Sequence, residues 1–334
     1  MAERSPFIHF TRPDCRHAAV GVIPAVILIS LGHLTGGVAF AIGLLPTSLM
    51  GIAPTRKVRV IFGIVGCLFG VGIFVGAVIV NSHNDLVTAV LFFLLCFGAT
   101  VLASTRPAGG VLLGILVPSL AVGTGYEVAD AARLMGAFIA GSLWSCLIML
   151  PVREFPPDPE VGARLLAAQP RHVKTYGVLL GLTAATSILI GRVFDIPKAG
   201  WIATAAMLII RPVQDMTGFR GIGRAVSTIA GTLLVIVVLN QDLGHTGTAI
   251  VCALITILTI GARTSRLYVT SFGTAFLILT IELFEVNDAS TLHQIGGYRI
   301  LNNVLGAAIA LFYGLLVAGA LERRRATRTP TPAD

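Results

Sequence analysis

Residues 56–81 read RKVRVIFGIVGCLFGVGIFVGAVIVN. Three cations, Arg56, Lys57 and Arg59, lead into an apolar run that carries no charge up to residue 81. A helix rises about 1.5 Å per residue, so a run of this length crosses a hydrocarbon core of roughly 30 Å. Such a core holds no water to satisfy backbone groups, which leaves a helix as the conformation for a single buried run. Working outward on both sides, comparable runs fall at 17–34, 36–53, 60–81, 86–104, 108–125 and 133–151. After a polar stretch they resume at 175–193, 198–212, 221–240, 246–262, 269–286 and 298–321. The pattern predicts an all-α membrane protein of about twelve transmembrane helices. The runs around Pro46 and Trp201 are near the lower length limit and predict short or irregular helices, tolerated inside a bundle or beside a water-filled cavity.

Composition agrees. Of 334 residues, 55% are hydrophobic and 12% charged, with a mean hydropathy of +0.88. Soluble domains carry roughly 25% charged residues, so a mostly water-facing surface is excluded. The net charge of +8 does not point to nucleic acid, because the cations gather beside the ends of the apolar runs. Residues 1–16 are polar and read as a cytoplasmic segment rather than a cleaved export signal. Five cysteines, Cys15, Cys67, Cys96, Cys146 and Cys252, lie without C-x-x-C spacing, so no disulfide framework or metal site is expected. A Gly-rich phosphate loop, a metal-ligand cluster and a nucleophile elbow are all missing from the sequence. The reading is therefore not an enzyme, with no cofactor.

Lysine and arginine positions set the orientation. With the N-terminus in the cytoplasm, only Arg133, Arg192, Lys198 and Arg299 of the 24 cationic side chains fall on the outer side. Both termini are then cytoplasmic. The chain also repeats itself. RKVRVIFGIVGCLFG (56–70) aligns with GIGRAVSTIAGTLLV (221–235), placing Arg59 on Arg224 and Gly66 on Gly231. Farther along, YEVADAARL (126–134) resembles FEVNDAS…YRIL, with Glu127, Asp130 and Arg133 answering Glu285, Asp288 and Arg299. Units with an even number of spans enter from the same side, so the two six-helix repeats are parallel. The predicted layout is a cytoplasmic segment 1–16, a first repeat 17–151, a linker 152–174, a second repeat 175–321 and a basic tail 322–334.

GWIATAAMLIIRPVQDMTGFRGIGRAVSTIAGTLL (200–234) and YRILNNVLGAAIAL (298–311) resemble the fusaric acid resistance, or aromatic acid exporter, family. The features that carry the likeness are Trp201, Thr204, Arg211-Pro212, Arg224 and Gly231-Thr232. The resemblance implies a multi-pass protein of the inner membrane that exports aromatic or other small organic acids, often with a periplasmic adaptor protein. Many members carry a large cytoplasmic domain, where this chain has only residues 152–176. Expected partners are the organic anion, the lipid bilayer, the adaptor and further copies of the chain. A passive anion channel, a major-facilitator-type transporter and a non-transporting assembly component are the alternatives.

Trp201, Thr204, Arg211, Arg224, Arg299, Asn302 and Asn303 are the candidate substrate contacts, since arginine and amide groups recognise carboxylates. Equally, Trp201 reads as an interfacial anchor and Arg211 and Arg224 as topology signals. Glu282 and Glu285 sit three apart on one helix face within an apolar run and are candidate proton-coupling groups, or members of a satisfied ion-pair cluster with Arg299. His33 reads as an interfacial residue. Gly-x-x-x-Gly spacings at Gly66/Gly70, Gly72/Gly76, Gly110/Gly114 and Gly177/Gly181 read as helix-packing sites.

Overall fold

A capping signal opens the first helix. Thr11 has extended backbone at the N-cap, Pro13 lies in the first turn, and Asp14 sits where the helix dipole favours an anion. The computed structural model describes residues 10–48, 51–82, 84–105, 116–156, 173–210, 217–239, 241, 243–262, 266–284 and 289–326. In it α1 spans Arg12–Gly21 and α2 spans Ile23–Ser30, parted at Val22 just before Pro24. The first helix thus starts at Arg12, not near residue 17. Its charges hid it: Asp14 is buried, accepting from the Ile52 N–H at 3.3 Å and from the Thr11 hydroxyl.

The remaining helices among the described residues are α3 (Leu34–Ser48), α4 (Arg56–Ser82), α5 (Asp85–Thr105), α6 (Val117–Gly123) and α7 (Val128–Met149). They continue as α8 (Val173–Val193), α9 (Gly200–Ile209), α10 (Thr217–Leu239), α11 (Gly244–Gly261), α12 (Arg266–Phe284) and α13 (Ala289–Ala326). The described residues form no strand beyond a single bridge between Phe10 and Ala262. Among the described residues, 7 helical segments can cross a membrane by length and composition, with α1 and α2 counted as one. Leu34–Ser48 and Gly200–Ile209 are shorter apolar helices, and Val226–Val238 and Phe272–Glu282 are apolar stretches within α10 and α12. α9, with 10 residues, reaches only about 15 Å, half a hydrocarbon core. The run expected at 108–125 is described only from Leu116 onward. The last helix is longer than the apolar run 298–321, beginning at Ala289.

Packing partners recur with a regular offset. α3 and α4 pack on α7, as α9 and α10 pack on α13. α4 meets α6 as α10 meets α12, and α2 meets α3 as α8 meets α9. α5 lies along α8, while α11 lies along α1 and α2; α3 touches α12, and α9 touches α6. Glycines permit the closest crossings. A Cβ on Gly43 or Gly141 would enter the main chain of Phe138 or Phe40, and one on Gly76 or Gly123 that of Leu120 or Ile73. Backbones that close gain dispersion contacts where lipid supplies no hydrophobic drive. Gly66, Gly70, Gly72, Gly177 and Gly181 also face neighbouring helices, as their spacing predicted. Gly110 and Gly114 lie outside the described residues. Leu94, Leu147, Val237 and Leu254 point outward as exposed apolar side chains, the surface a bilayer would cover.

Candidate functional site

The loop between α8 and α9 is built under strain. α8 ends in a Schellman turn, with the Ile196 N–H bonded to the Gly191 carbonyl at 2.8 Å and Asp195 in the left-handed region at φ 48°. Lys198 is left-handed as well, at φ 56°. Such conformations in residues with a Cβ cost about 1–3 kcal/mol each and persist only where the surroundings impose them. Here Asn302, on α13, imposes one. Its amide Nδ2 donates to the Pro197 carbonyl at 3.1 Å and the Lys198 carbonyl at 3.3 Å. The Lys198 ammonium is thereby held 4.3 Å from the centre of the Tyr126 ring.

One helical turn before Asn302 lies Arg299. Its guanidinium carbon stands 3.2 Å from the centre of the Trp201 ring, and the residue is only 4% exposed. A desolvated cation over an indole face gains about 2 kcal/mol. That contact leaves the donors unmet: Nε and Nη1 of Arg299 are buried without a hydrogen-bond partner, and so is Oδ1 of Asn302. Glu282 and Tyr126 act on the guanidinium electrostatically, and the Tyr126 hydroxyl donates to Glu282 at 3.4 Å.

Arg299, Asn302, Glu282, Tyr126, Tyr298 and Lys198 line one cavity of about 580 Å³. That volume suits a small organic molecule. The exposed residues Gly32, His33, Asp130 and Arg133 complete its mouth, and Leu134, Ala137, Ile281 and Ile295 supply apolar wall. Arg133 is paired with Asp130 at 3.6 Å in an exposed position. Next to the cavity, and sharing Tyr126, Leu134 and Ile281 with it, Ile42, Phe69, Phe138 and Ile278 line a small apolar pocket, with Phe69 and Phe138 edge to face at 5.5 Å.

At the opposite end the helices are tied shut. The Thr11 N–H bonds to the Gly261 carbonyl at 3.3 Å beside the Phe10–Ala262 bridge. His17 Nε2 lies 3.0 Å from Ser48 Oγ and 3.1 Å from Ser145 Oγ, and the two hydroxyls are 2.7 Å apart. Arg59 is fully buried there, donating to the carbonyls of Ala53 at 2.8 Å and Met149 at 3.0 Å and to those of Val152, Pro54 and Arg153.

The sequence candidates therefore separate. Arg299, Asn302 and Glu282 meet at the cavity, and Trp201 lies under Arg299 as its support, buried rather than at a lipid interface. Thr204 is turned to the Gly200 and Pro118 carbonyls at 2.8 and 3.4 Å, tying α9 to α6. Asn303 donates to the Arg299 carbonyl at 2.9 Å within its own helix. Arg211 and Glu285 lie outside the described residues, as does the side chain of Arg224. Residue patterns did not single out Tyr126, Tyr298 or Lys198 for the site. A signal was present nonetheless: of the four cations that break the charge rule, Arg133, Lys198 and Arg299 line the cavity. The fourth, Arg192, is paired with Asp85 at 3.2 Å.

Residues 184–313 match the family model described as fusaric acid resistance protein-like. The stretch covers α9 to α12 and most of the membrane part of α13, so it contains Trp201, Glu282, Arg299 and Asn302. The resemblance read from residues 200–234 and 298–311 is thus supported, and the apolar helices fit a multi-pass membrane protein. No curated protein and no solved structure matches the chain.

Proposed function

We propose that this protein is a secondary transporter of the cytoplasmic membrane that exports small organic acids as anions. One observation carries the reading: a buried arginine with unmet donors on the wall of a cavity large enough for such an acid. A carboxylate would supply the acceptors Arg299 lacks, in the bidentate geometry guanidinium favours. Trp201 would orient the guanidinium without touching the ligand.

The chain is read as twelve spans in two parallel six-helix repeats with both termini in the cytoplasm. The recurring packing partners support this, and so do Gly141 and Gly306, which make the same close approach to α3 and α9. On that topology the cavity opens outward, and the Arg59 and His17 ties close the inner end. Alternating access would move one half against the other. An inside-negative potential favours outward movement of an anion by about 2.3 kcal/mol per charge per 100 mV. Glu282, on the cavity wall with Arg299, is the candidate proton-coupling group.

The test is uptake of labelled carboxylates into inside-out vesicles holding the purified chain, with the potential and pH gradient imposed separately. Saturable uptake that falls about 100-fold in Arg299→Gln, and loses its pH dependence in Glu282→Gln, is expected. Flux that never saturates would move the reading to a channel. Failure of every acid to enter, with the protein folded, would refute transport of this class.

A further inference from the structure

His17 is a buried titratable side chain that the cavity does not use. Its Nε2 stands 3.0 Å from Ser48 Oγ and 3.1 Å from Ser145 Oγ, so one ring ties α1 to α3 and α7. One turn earlier on α1, Asp14 is buried as well and acts on the ring electrostatically. Its carboxylate accepts from the Thr11 hydroxyl and the Ile52 N–H. Thr11 in turn donates its N–H to the Gly261 carbonyl, beside the Phe10–Ala262 bridge, where α1 is fastened to α11. Ser145, His17, Asp14 and Thr11 thus form one line of contacts across the closed end, from α7 in the first half of the chain to α11 in the second.

Little near the ring can balance a charge. Of the helices packed on α1, α2 and α3 carry no titratable residue. α7 has Asp130 and Arg133 in its first two turns, far from Ser145, and the thiol of Cys146. α11 has His245 in its first turn and the thiol of Cys252. On α1 itself, Arg12 and Arg16 are exposed, and Arg59, at the same end of α7, is a cation and cannot balance another. A neutral ring suits two hydroxyls, which donate or accept as it requires. A second ring proton would bury a cation whose counter-charge is Asp14, and that carboxylate already holds the start of α1. Drawn to the imidazolium, Asp14 would release Thr11 and Ile52, and the fastening of α1 to α11 would lose its support. Resting on the reading of this end as cytoplasmic, we propose that His17 is a proton-operated latch: neutral, it holds the inner closure, and proton uptake from the cytoplasm frees it. Histidine is the side chain whose ordinary range makes such a switch respond near neutral pH. An organic acid that ionises in the cytoplasm leaves a proton there, so a latch of this sign opens the protein toward the compartment that holds the load.

Cys15 reports the state of the latch, because its Sγ packs against Gly261 of α11 at the same closure. The test is labelling of Cys15 by a membrane-impermeant maleimide added outside inside-out vesicles that hold the full chain. The rate is read on the fragment that contains Cys15 and divided, at each pH, by the rate for the same peptide free in solution. That quotient should rise about tenfold from about pH 8 to about pH 6, within the limit of about tenfold per pH unit for a single proton. Labelling reads the latch apart from Glu282, whose protonation bears on flux. His17→Gln, whose amide can still bond both serines but takes up no proton, should keep the quotient low at every pH. Asp14→Asn leaves an acceptor for Ile52 but removes the counter-charge, so its rise should need about one pH unit more acid. The unaltered protein and Asp14→Asn decide the matter even if His17→Gln fails to fold. A quotient that stays flat in the unaltered protein, or that rises equally in His17→Gln, would overturn the latch and leave anion transport standing. Acid-dependent labelling with no uptake of any carboxylate would keep the latch and overturn the transport reading.

Discussion

Arg59 and Arg299 are both buried arginines in apolar surroundings, one at each end of the molecule, and they are put to opposite uses. Every nitrogen of the Arg59 guanidinium donates to a main-chain carbonyl, and Met149, Val152 and Arg153 lie at and just beyond the C-terminal end of α7. Met149 ends the helix, where the carbonyls carry the negative dipole end, so the cation is favoured there while it binds the 53–54 segment. Arg299 has an indole face beneath it and bare Nε and Nη1 donors. Burial of a charge is thus no mark of function in itself. What separates the two is whether the protein's own groups exhaust the donors.

This contrast is most exposed at Arg59. Arg59→Ala should remove five side-chain hydrogen bonds to the main chain at once and lower stability by about 3 kcal/mol or more. The expected result is a large drop in the thermal midpoint of the purified protein in detergent, or loss of folded protein altogether. Arg299→Gln should cost far less, leaving the midpoint nearly unchanged while flux falls about 100-fold, because the desolvation relieved offsets the lost contact with Trp201. If Arg299→Gln unfolds the protein as Arg59→Ala does, both arginines are structural and the comparison collapses.

Much of this was legible in the sequence, and the reasons are physical. Apolar runs locate helices because the bilayer admits little else, and the charge rule fixed which cations were exceptional. Arg299, Asn302 and Glu282 could be placed at one level because the two apolar runs that carry them meet the same loop. Tyr126 and Lys198 could not be joined to them, since nothing local shows that the 124–127 and 194–199 loops converge. The start of α1 was hidden because hydropathy weighs Arg12, Asp14 and Arg16 as polar whether or not they are partnered. Arg59 was matched with Arg224 by sequence, yet only the structure reveals that its donors are all spent on carbonyls.

Trp201 sharpens the comparison from the other side, since Arg59 has no aromatic support and needs none. Trp201→Leu removes a contact of about 2 kcal/mol with Arg299 and should raise the half-saturating concentration of the anion about tenfold, with little change in maximal flux. Trp201→Phe, which keeps an aromatic face, should recover part of the loss. Equal defects in the two variants would mean that Trp201 acts by packing alone.

The smallest effect is expected at Arg133, which the alignment of the two repeats sets opposite Arg299. Its side chain is 83% exposed and its partner Asp130 sits 3.6 Å away in the same helix. Exposed pairs of this kind contribute little, and solvent screens them further. Arg133→Ala should leave the thermal midpoint unchanged and alter flux less than about threefold, with the difference confined to low salt, where a cation at the mouth still steers an incoming anion. A salt-independent loss as deep as that of Arg299→Gln would show that the mouth binds the anion as tightly as the buried wall. The specific site would then extend over both halves of the chain instead of belonging to α13.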